Sequence, residues 1–342
     1  MTTGVSIVIC CYNSAQRLPQ TLAHLAAQEV TSELLWEVLV IDNACTDNTK
    51  EVATSSWPKE SSVPLRVIDE PQPGLSHARH RGFIEAKYEL ISFVDDDNWV
   101  CPEWVQTVAE IMSEHPEVGA CGGCSKAVSE VALPWWFSKY QDTYAVGEQT
   151  KEVGDVTQTR GFLWGAGLTI RKQAWEQLQN RGFKSILTGR KGAVLSAGED
   201  HEFCLALRLA GWHIWYDPRL QFCHFIPASR LQWNYLRRLK RGFGAGSVGL
   251  DPYFFALKKD SSWLKRYIEK SWFYRMAAVL LKLLPYSYKW ILSSYSPLEG
   301  DADILNLEIL QGRLSQLLIS YKIYGVNIKQ FQDTPERNLL ID

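Results

Sequence analysis

The sequence lacks any apolar run long enough to cross a bilayer. Its most apolar stretch, Met276 to Leu284, is interrupted by Lys282 and stopped by Pro285, whereas a spanning helix needs about 20 such residues. The stretch suits a helix lying on a membrane surface, with Trp272, Tyr286, Tyr288 and Trp290 at the interface, or equally a core helix. Excess charge is also missing: a net charge of -2 over 342 residues argues against general nucleic-acid binding. No internal repeat or low-complexity tract is present. No Gly-x-Gly-x-x-Gly follows the first apolar run, where Cys11, Tyr12, Asn13 and Ser14 stand instead, which argues against a nicotinamide dehydrogenase. The glycine-rich basic loop of a nucleotidyltransferase is absent from the same place. A secretory leader is not expected, and the 8 cysteines read as reduced thiols in a cytoplasmic protein. Cys121-Gly122-Gly123-Cys124 has zinc-knuckle spacing but no second pair nearby, so structural filler is the better reading.

What is present is ordinary globular composition, 46% hydrophobic and 22% charged. The length suggests about two domains, or one large domain with an appendage. Apolar, β-branched runs at 5–10, 38–41, 65–68 and 90–94 predict four buried strands. Helical spacing predicts helices at about 17–28, after the capping residues 46–49, and at about 76–87. This alternation predicts an α/β fold with a doubly wound, mostly parallel sheet flanked by helices. Ligands of such sheets bind beyond the strand C-termini. Three polar clusters fall there: Tyr12-Asn13, Asp42-Asn43 and Asp95-Asp96-Asp97. Adjacent carboxylates repel, so the Asp triplet is either a solvated acidic turn or the seat of a cation. Its place at a strand tip favours the cation.

A helix is expected from Pro102 to His115, and 116–160 shows little regularity. A glycine-rich turn at 161–167, containing Trp164, feeds a strand at 168–170, and a helix follows to Asn180. Residues 184–197 read as a mobile loop. A helix then starts at Gly198, with Glu199 and Asp200 in its first turn, where carboxylates suit the helix dipole. Strands are expected at 214–216, ending before Pro218, and at 220–226, carrying His224. Beyond 231 helices dominate. Arg237, Arg238, Lys240 and Arg241 run into Gly242, Gly244, Gly246 and Gly249: either a phosphate-holding segment or a solvated face with a flexible joint. A last amphipathic helix is expected at 303–324. The 14 Trp suit sugar-binding pockets, although most Trp pack in cores.

These pieces together resemble the family 2 glycosyltransferases of the GT-A fold. The stretch from Val5 to Asn13 is similar to the family's opening strand and turn. Val40 to Thr49 resembles its strand-Asp-Asp-Gly-Ser-Thr-Asp-x-Thr segment, and Gly74 to Gly82 its Gly-Leu-x-x-Ala-Arg-Asn-x-Gly helix. Phe93 to Asp97 resembles its Asp-x-Asp tip, Glu199-Asp200 its Glu-Asp motif, and His224 its late histidine. Asn43, Ala44 and His80 depart from the pattern. The likeness covers about 5–226. It implies a GT-A domain over 1–230, with a nucleotide-binding half at 1–100 and an acceptor half at 101–230, and a helical extension over 231–342.

The resemblance implies an inverting transferase. It would move a sugar from a nucleotide-diphosphate sugar, a UDP-sugar by preference, to a hydroxyl of a glycan or lipid-linked acceptor in polysaccharide or cell-envelope assembly. A non-catalytic nucleotide-sugar binder is the alternative, and Glu199-Asp200 argues against it. The implied metal is Mg2+ or Mn2+, held by Asp97 with Asp95 and His224. The implied nucleotide-sugar contacts are Cys11, Tyr12, Asn13, Asp42, Asn43, Arg79, Asp95, Asp96 and Trp164. Among them Asp42 meets the base edge, and the Tyr12 ring stacks on it. Asp200 is the implied general base, with Glu199 orienting it or binding acceptor. The cysteines and the 272–290 stretch give the expected location: cytoplasmic, with attachment to the inner face of the cell membrane if that stretch lies on the surface rather than in the core.

Overall fold

The computed structural model describes residues 4–187, 198–258, 268–286, 288–289, 292 and 298–333. The sequence pattern puts one boundary near 230, but the fold interleaves two compact units along the chain. The first comprises Met1–Glu130, Tyr144–Lys184 and Trp212–Ile226; the second comprises Val131–Thr143, Ser185–Gly211 and Pro227–Asp342.

The first unit opens with β1 (Val5–Cys11), α1 (Leu18–Ala26), β2 (Trp36–Asn43), α2 (Thr49–Ser56), β3 (Leu65–Glu70), α3 (Leu75–Glu85) and β4 (Leu90–Phe93). These four strands are parallel neighbours in the order β3-β2-β1-β4. Helices cover both faces of such a sheet, which is why β1 and β2 read as unbroken apolar runs rather than alternating ones. Ile7, Ile9, Val38 and Val40 are fully buried, each worth roughly 1.5–3 kcal/mol on removal from water. The register sets Cys11 beside Asp42, and Asp42 beside Asp69, so the polar strand ends line up on one edge.

The sheet continues through β5 (Asn98–Val100), α4 (Trp104–Glu114), β6 (Val118–Val128), β7 (Gly154–Asp155), β8 (Thr169–Arg171), α5 (Lys172–Asn180) and β9 (His213–Phe225). Its full order is β3-β2-β1-β4-β8-β6-β9-β5, with β7 also on β9. β8 runs antiparallel between β4 and β6. Two features differ from the sequence expectation. The stretch with little apparent pattern contains the long strand β6. Its glycines hide the apolar signal but allow close pairing: a Cβ on Gly123 would lie 1.7 Å from the Leu220 carbonyl oxygen, and one on Gly119 2.6 Å from Trp212 Cβ. The two short strands around Pro218 are in fact one strand. Its pairing with β6 steps from Gly122↔Tyr216 to Cys124↔Gln221, so Pro218 sits in an irregularity that needs no ladder donor. Asp217 braces that corner by accepting from the Arg219 backbone N–H at 2.9 Å.

The second unit is helical. It holds a single turn at Phe137–Tyr140, then α6 (Glu199–Leu209), α7 (Trp233–Leu257), α8 (Trp272–Leu283), α9 (Ala302–Ile319) and α10 (Tyr321–Asp333). The expected basic segment and glycine joint form one continuous helix, α7. Its glycine is where α9 crosses: a Cβ on Gly244 would lie 1.9 Å from the Ile309 carbonyl oxygen, and one on Gly312 1.9 Å from that of Arg241. Backbone-to-backbone packing therefore accounts for these glycines. Arg237 Nε and Arg241 Nε donate to the two oxygens of buried Glu308 at 2.8 and 2.7 Å, which commits both guanidiniums to the helix pair. Asp251 likewise accepts from Arg313 at 2.6 Å and from the Tyr324 hydroxyl at 2.9 Å. Ser320 ends α9, so the expected last helix is two.

Candidate active site

At the tip of β1, Asn13 takes φ 51°, the left-handed conformation that Asn tolerates better than most residues. Its Oδ1 accepts from the Thr46 N–H at 2.8 Å, and its own N–H donates to Cys45 Sγ at 3.2 Å. Asp42, at the tip of β2, accepts from the Cys45 N–H at 3.0 Å. Tyr12 is 54% exposed. A bare ring thus stands on a hydrogen-bonded pair of turns beside the Asp42 carboxylate. Cys11 is buried, and desolvation pushes its thiol pKa up; Cys45 is pushed up to about 11, chiefly by desolvation. Both thiols are therefore protonated packing groups. Asn43 faces inward: its amide donates to the Glu70 and Gln72 carbonyls and accepts from the Gly74 N–H at 2.8 Å. It sets the path of the loop into α3, on which Arg79 lies 5.8 Å over the Phe93 ring.

The Asp triplet divides its labour. Asp96 turns inward, where its carboxylate accepts from Arg17 at 2.7 Å and from the Ser14 hydroxyl, while its carbonyl accepts from Thr21 at 2.9 Å. Burial, and next the charge of Asp97, push its pKa up; Arg17 and Ser14 oppose them. Asp96 ties the β4 tip to the start of α1. Asp95 is partly exposed, and its carbonyl accepts the Asn98 N–H at 3.0 Å, closing the turn. Asp97 meets His224 across the sheet, with Oδ1 3.6 Å from Nε2. The β5–β9 ladder makes this possible by pairing Asn98 with His224. Residues 127 positions apart in sequence, 224 − 97, are thereby brought together.

Asn98 and Gln149 carry no motif signal, yet both belong to this region. Asn98 is fully buried, and neither its Oδ1 nor its Nδ2 has a hydrogen-bond partner among the described residues. Gln149 Nε2 donates to the Gly123 carbonyl at 2.8 Å, and its Oε1 accepts the Trp164 N–H at 2.8 Å. Arg160 packs 5.4 Å over the Trp164 ring. Gln149 therefore holds the Trp164 turn against β6.

Glu199 and Asp200 belong to the second unit. Gly198, at φ 108°, gives the left-handed entry to α6, and Asp200 Oδ1 accepts the His201 N–H at 3.0 Å. The next acid, Glu202, is buried and accepts from the Ile186 N–H at 2.6 Å, the Leu187 N–H at 3.1 Å, the Tyr253 hydroxyl at 2.7 Å and the Ser185 hydroxyl. Burial raises its pKa against those four donors. Glu202 ties Ser185–Leu187 to α6 and α7; the rest of the expected loop, 188–197, lies outside the described residues. No three His, Cys, Asp or Glu side chains among the described residues form a complete metal cage. Asp97 and His224 would supply two donors to a divalent ion, leaving substrate phosphate and water to supply the others.

Comparison with known proteins identifies the family. A model of the Glycosyl transferase family 2 matches residues 6–178, just over half of the chain. The glucosyl-dolichyl phosphate glucuronosyltransferase of Haloferax volcanii is 21% identical over 241 residues, covering 68% of this chain and 72% of that protein. The succinoglycan biosynthesis protein ExoM of Rhizobium meliloti is 24% identical over 245 residues, covering 70% and 74%. Among solved structures, S. aureus TarS 1-349 in complex with UDP-GlcNAc superimposes with TM-score 0.52 at 16% identity, covering 94% of this chain and 92% of that one. The mannosyltransferase PcManGT from Pyrobaculum calidifontis, in complex with GDP-Man and Mn2+, gives 0.54 at 15% identity, covering 94% and 87%. On the family match and the shared GT-A fold, the chain belongs to glycosyl transferase family 2 and is a glycosyltransferase.

Proposed function

We propose that this glycosyltransferase moves a sugar from a UDP-sugar to a hydroxyl of a glycan or lipid-linked acceptor, with inversion, in polysaccharide or cell-envelope assembly. The meeting of Asp97 and His224 at the edge where the parallel strands end carries the reading. In this reading Tyr12 stacks on the base, and Asp42 accepts from its edge. Cys11 and Asn13 shape the turn beside it. Asn43 and Asp96 support the pocket from behind, through the loop into α3 and the start of α1. Arg79 meets the phosphates, and Trp164 floors the sugar site. Asp97, His224 and Asp95 hold a divalent ion, which when bound neutralises the diphosphate leaving group. Asp200 takes the acceptor hydroxyl's proton as that oxygen attacks the anomeric carbon, and Glu199 orients it. Such base assistance is worth about 10²–10⁴-fold in rate.

The relatives' names support this reading: one acts on a dolichyl phosphate glycolipid, and another serves succinoglycan biosynthesis. The solved neighbours hold UDP-GlcNAc or GDP-Man, the latter with Mn2+. A lipid-linked acceptor also agrees with peripheral attachment at the cytoplasmic face of a membrane through 272–290. The discriminating experiment screens UDP-, GDP- and dTDP-sugars for protection against thermal unfolding, with and without Mn2+. A UDP-sugar that protects only with metal is the expected result. Protection by a GDP- or dTDP-sugar alone rejects the UDP assignment, and metal-independent protection rejects the ion's role.

A further inference from the structure

The C-terminal helices of the second unit carry exposed apolar side chains outside their own packing. Inward, Val279 of α8, Leu317 of α9, and Tyr324 and Ile328 of α10 form a small core with Trp272 and Met276. Outward, Phe273 is 71% exposed, Leu281 66%, Ile319 78% and Val326 63%. These positions lie on neighbouring elements. Trp272 Nε1 donates to the Leu317 carbonyl at 2.8 Å, and its ring lies 4.8 Å from that of Tyr321 and 5.1 Å from that of Phe273. The start of α8 therefore packs against the α9–α10 corner, and Phe273, Ile319 and Tyr321 expose apolar surface beside that contact. The sequence pattern flags only the α8 part of it.

The charge on these helices identifies what covers the surface. α8 carries Arg275 and Lys282 and no acid, and α10 carries Lys322 and Lys329 with Asp333 as its last residue. Lys282, Lys322 and Lys329 are exposed. A second copy docking by twofold symmetry would set the same basic patch against itself. An anionic lipid surface instead attracts it, while aromatic and aliphatic side chains enter the headgroup boundary. No helix among the described residues is long and apolar enough to cross a membrane, so the fitting mode is a helix pair lying on the surface.

We propose that α8 and the α9–α10 corner together form a docking face for anionic phospholipid. This face holds the transferase at the surface where a lipid-linked acceptor resides. The inference deepens the membrane attachment stated above, extends it to Leu318–Val326, and names the lipid class.

The test sediments the full chain with vesicles of phosphatidylcholine alone, or mixed with phosphatidylglycerol, while its mass is followed in solution. The wild-type chain is expected to bind the anionic vesicles preferentially and to release in high salt. Leu281→Glu with Ile319→Glu is expected to lower partitioning at least about tenfold. Lys282→Glu with Lys322→Glu is expected to abolish the anionic preference, at roughly fivefold per lysine. The milder pair Leu281→Ser with Ile319→Ser covers misfolding of the charged pair and is expected to weaken binding in the same direction. Metal-dependent hydrolysis of the nucleotide sugar is expected to be unchanged in every variant that keeps the wild-type melting temperature. Absence of vesicle binding, equal binding to both lipids, or a dimer that these substitutions dissolve overturns the proposal. Hydrolysis reports on the transferase reading separately, so a chain that turns over donor but ignores vesicles rejects the docking face alone.

Discussion

Both units bury acids, and the contrast lies in what meets each one. In the first, Glu37 is buried within β2 and accepts from Ser6, Arg66 and the Lys87 N–H, Asp96 accepts from Arg17 and Ser14, and Asp97, also buried, meets His224 at a strand tip. In the second, Glu308, Asp251 and Glu202 are buried, and each is taken up by donors: two arginines, an arginine with a tyrosine, and two backbone N–H groups with two hydroxyls. A buried acid therefore says little about chemistry until its partners are counted. Glu308 locks α7 to α9 and has no capacity left for a ligand. Asp97 faces a histidine, with Oδ1 3.6 Å from Nε2, an approach longer than a hydrogen bond.

Substitutions sharpen the contrast. Asp200→Asn, in the second unit, is expected to show the largest effect: a 10²–10⁴-fold loss of transfer with nucleotide binding nearly intact. Steady-state turnover together with a binding titration checks it, and normal turnover removes Asp200 as the base. Glu308→Ala is expected to act on stability instead. It leaves Arg237 facing no carboxylate and should cost about 3 kcal/mol, the lower end for a broken buried pair because Arg241 is half exposed. Denaturant unfolding measures that loss, and a change below about 0.5 kcal/mol would make the pair ornamental.

The smallest effect concerns pH. A carboxyl whose folded pKa lies above its unfolded value holds its proton more tightly in the native state. Glu202 is such a group, raised from 4.5 by burial. Its contribution is present in full below 4.5 and is lost as pH rises through the shifted value. Glu202→Gln, which cannot titrate, is expected to flatten that part of the stability–pH curve. An unchanged slope would mean that the four donors hold Glu202 as a carboxylate throughout.

The first four strands were legible in the sequence because parallel strands buried on both faces write continuous apolar runs. The strand tips were legible for the same reason, since polarity begins where the run stops. β6 was not, because the close approach of Leu220 requires glycine where a strand normally shows β-branched residues. The fate of the basic run was hidden too: nothing near Arg237 or Arg241 in sequence names Glu308 as their partner. Within the site, sequence order marked the three aspartates as one motif, but it took the β5–β9 ladder to turn Asp97 toward His224 and Ser14 to draw Asp96 inward. Asn98 escaped notice because its buried, unpartnered amide is visible only in three dimensions.

The most direct test of the central claim is a calorimetric titration of UDP into the wild-type chain and Asp97→Ala, each with and without Mn2+. Mn2+-dependent binding by the wild-type chain, lost in the variant, is the expected result. Equal affinity in all four titrations would contradict the assignment of Asp97 to the metal and of the β4 tip to the leaving group.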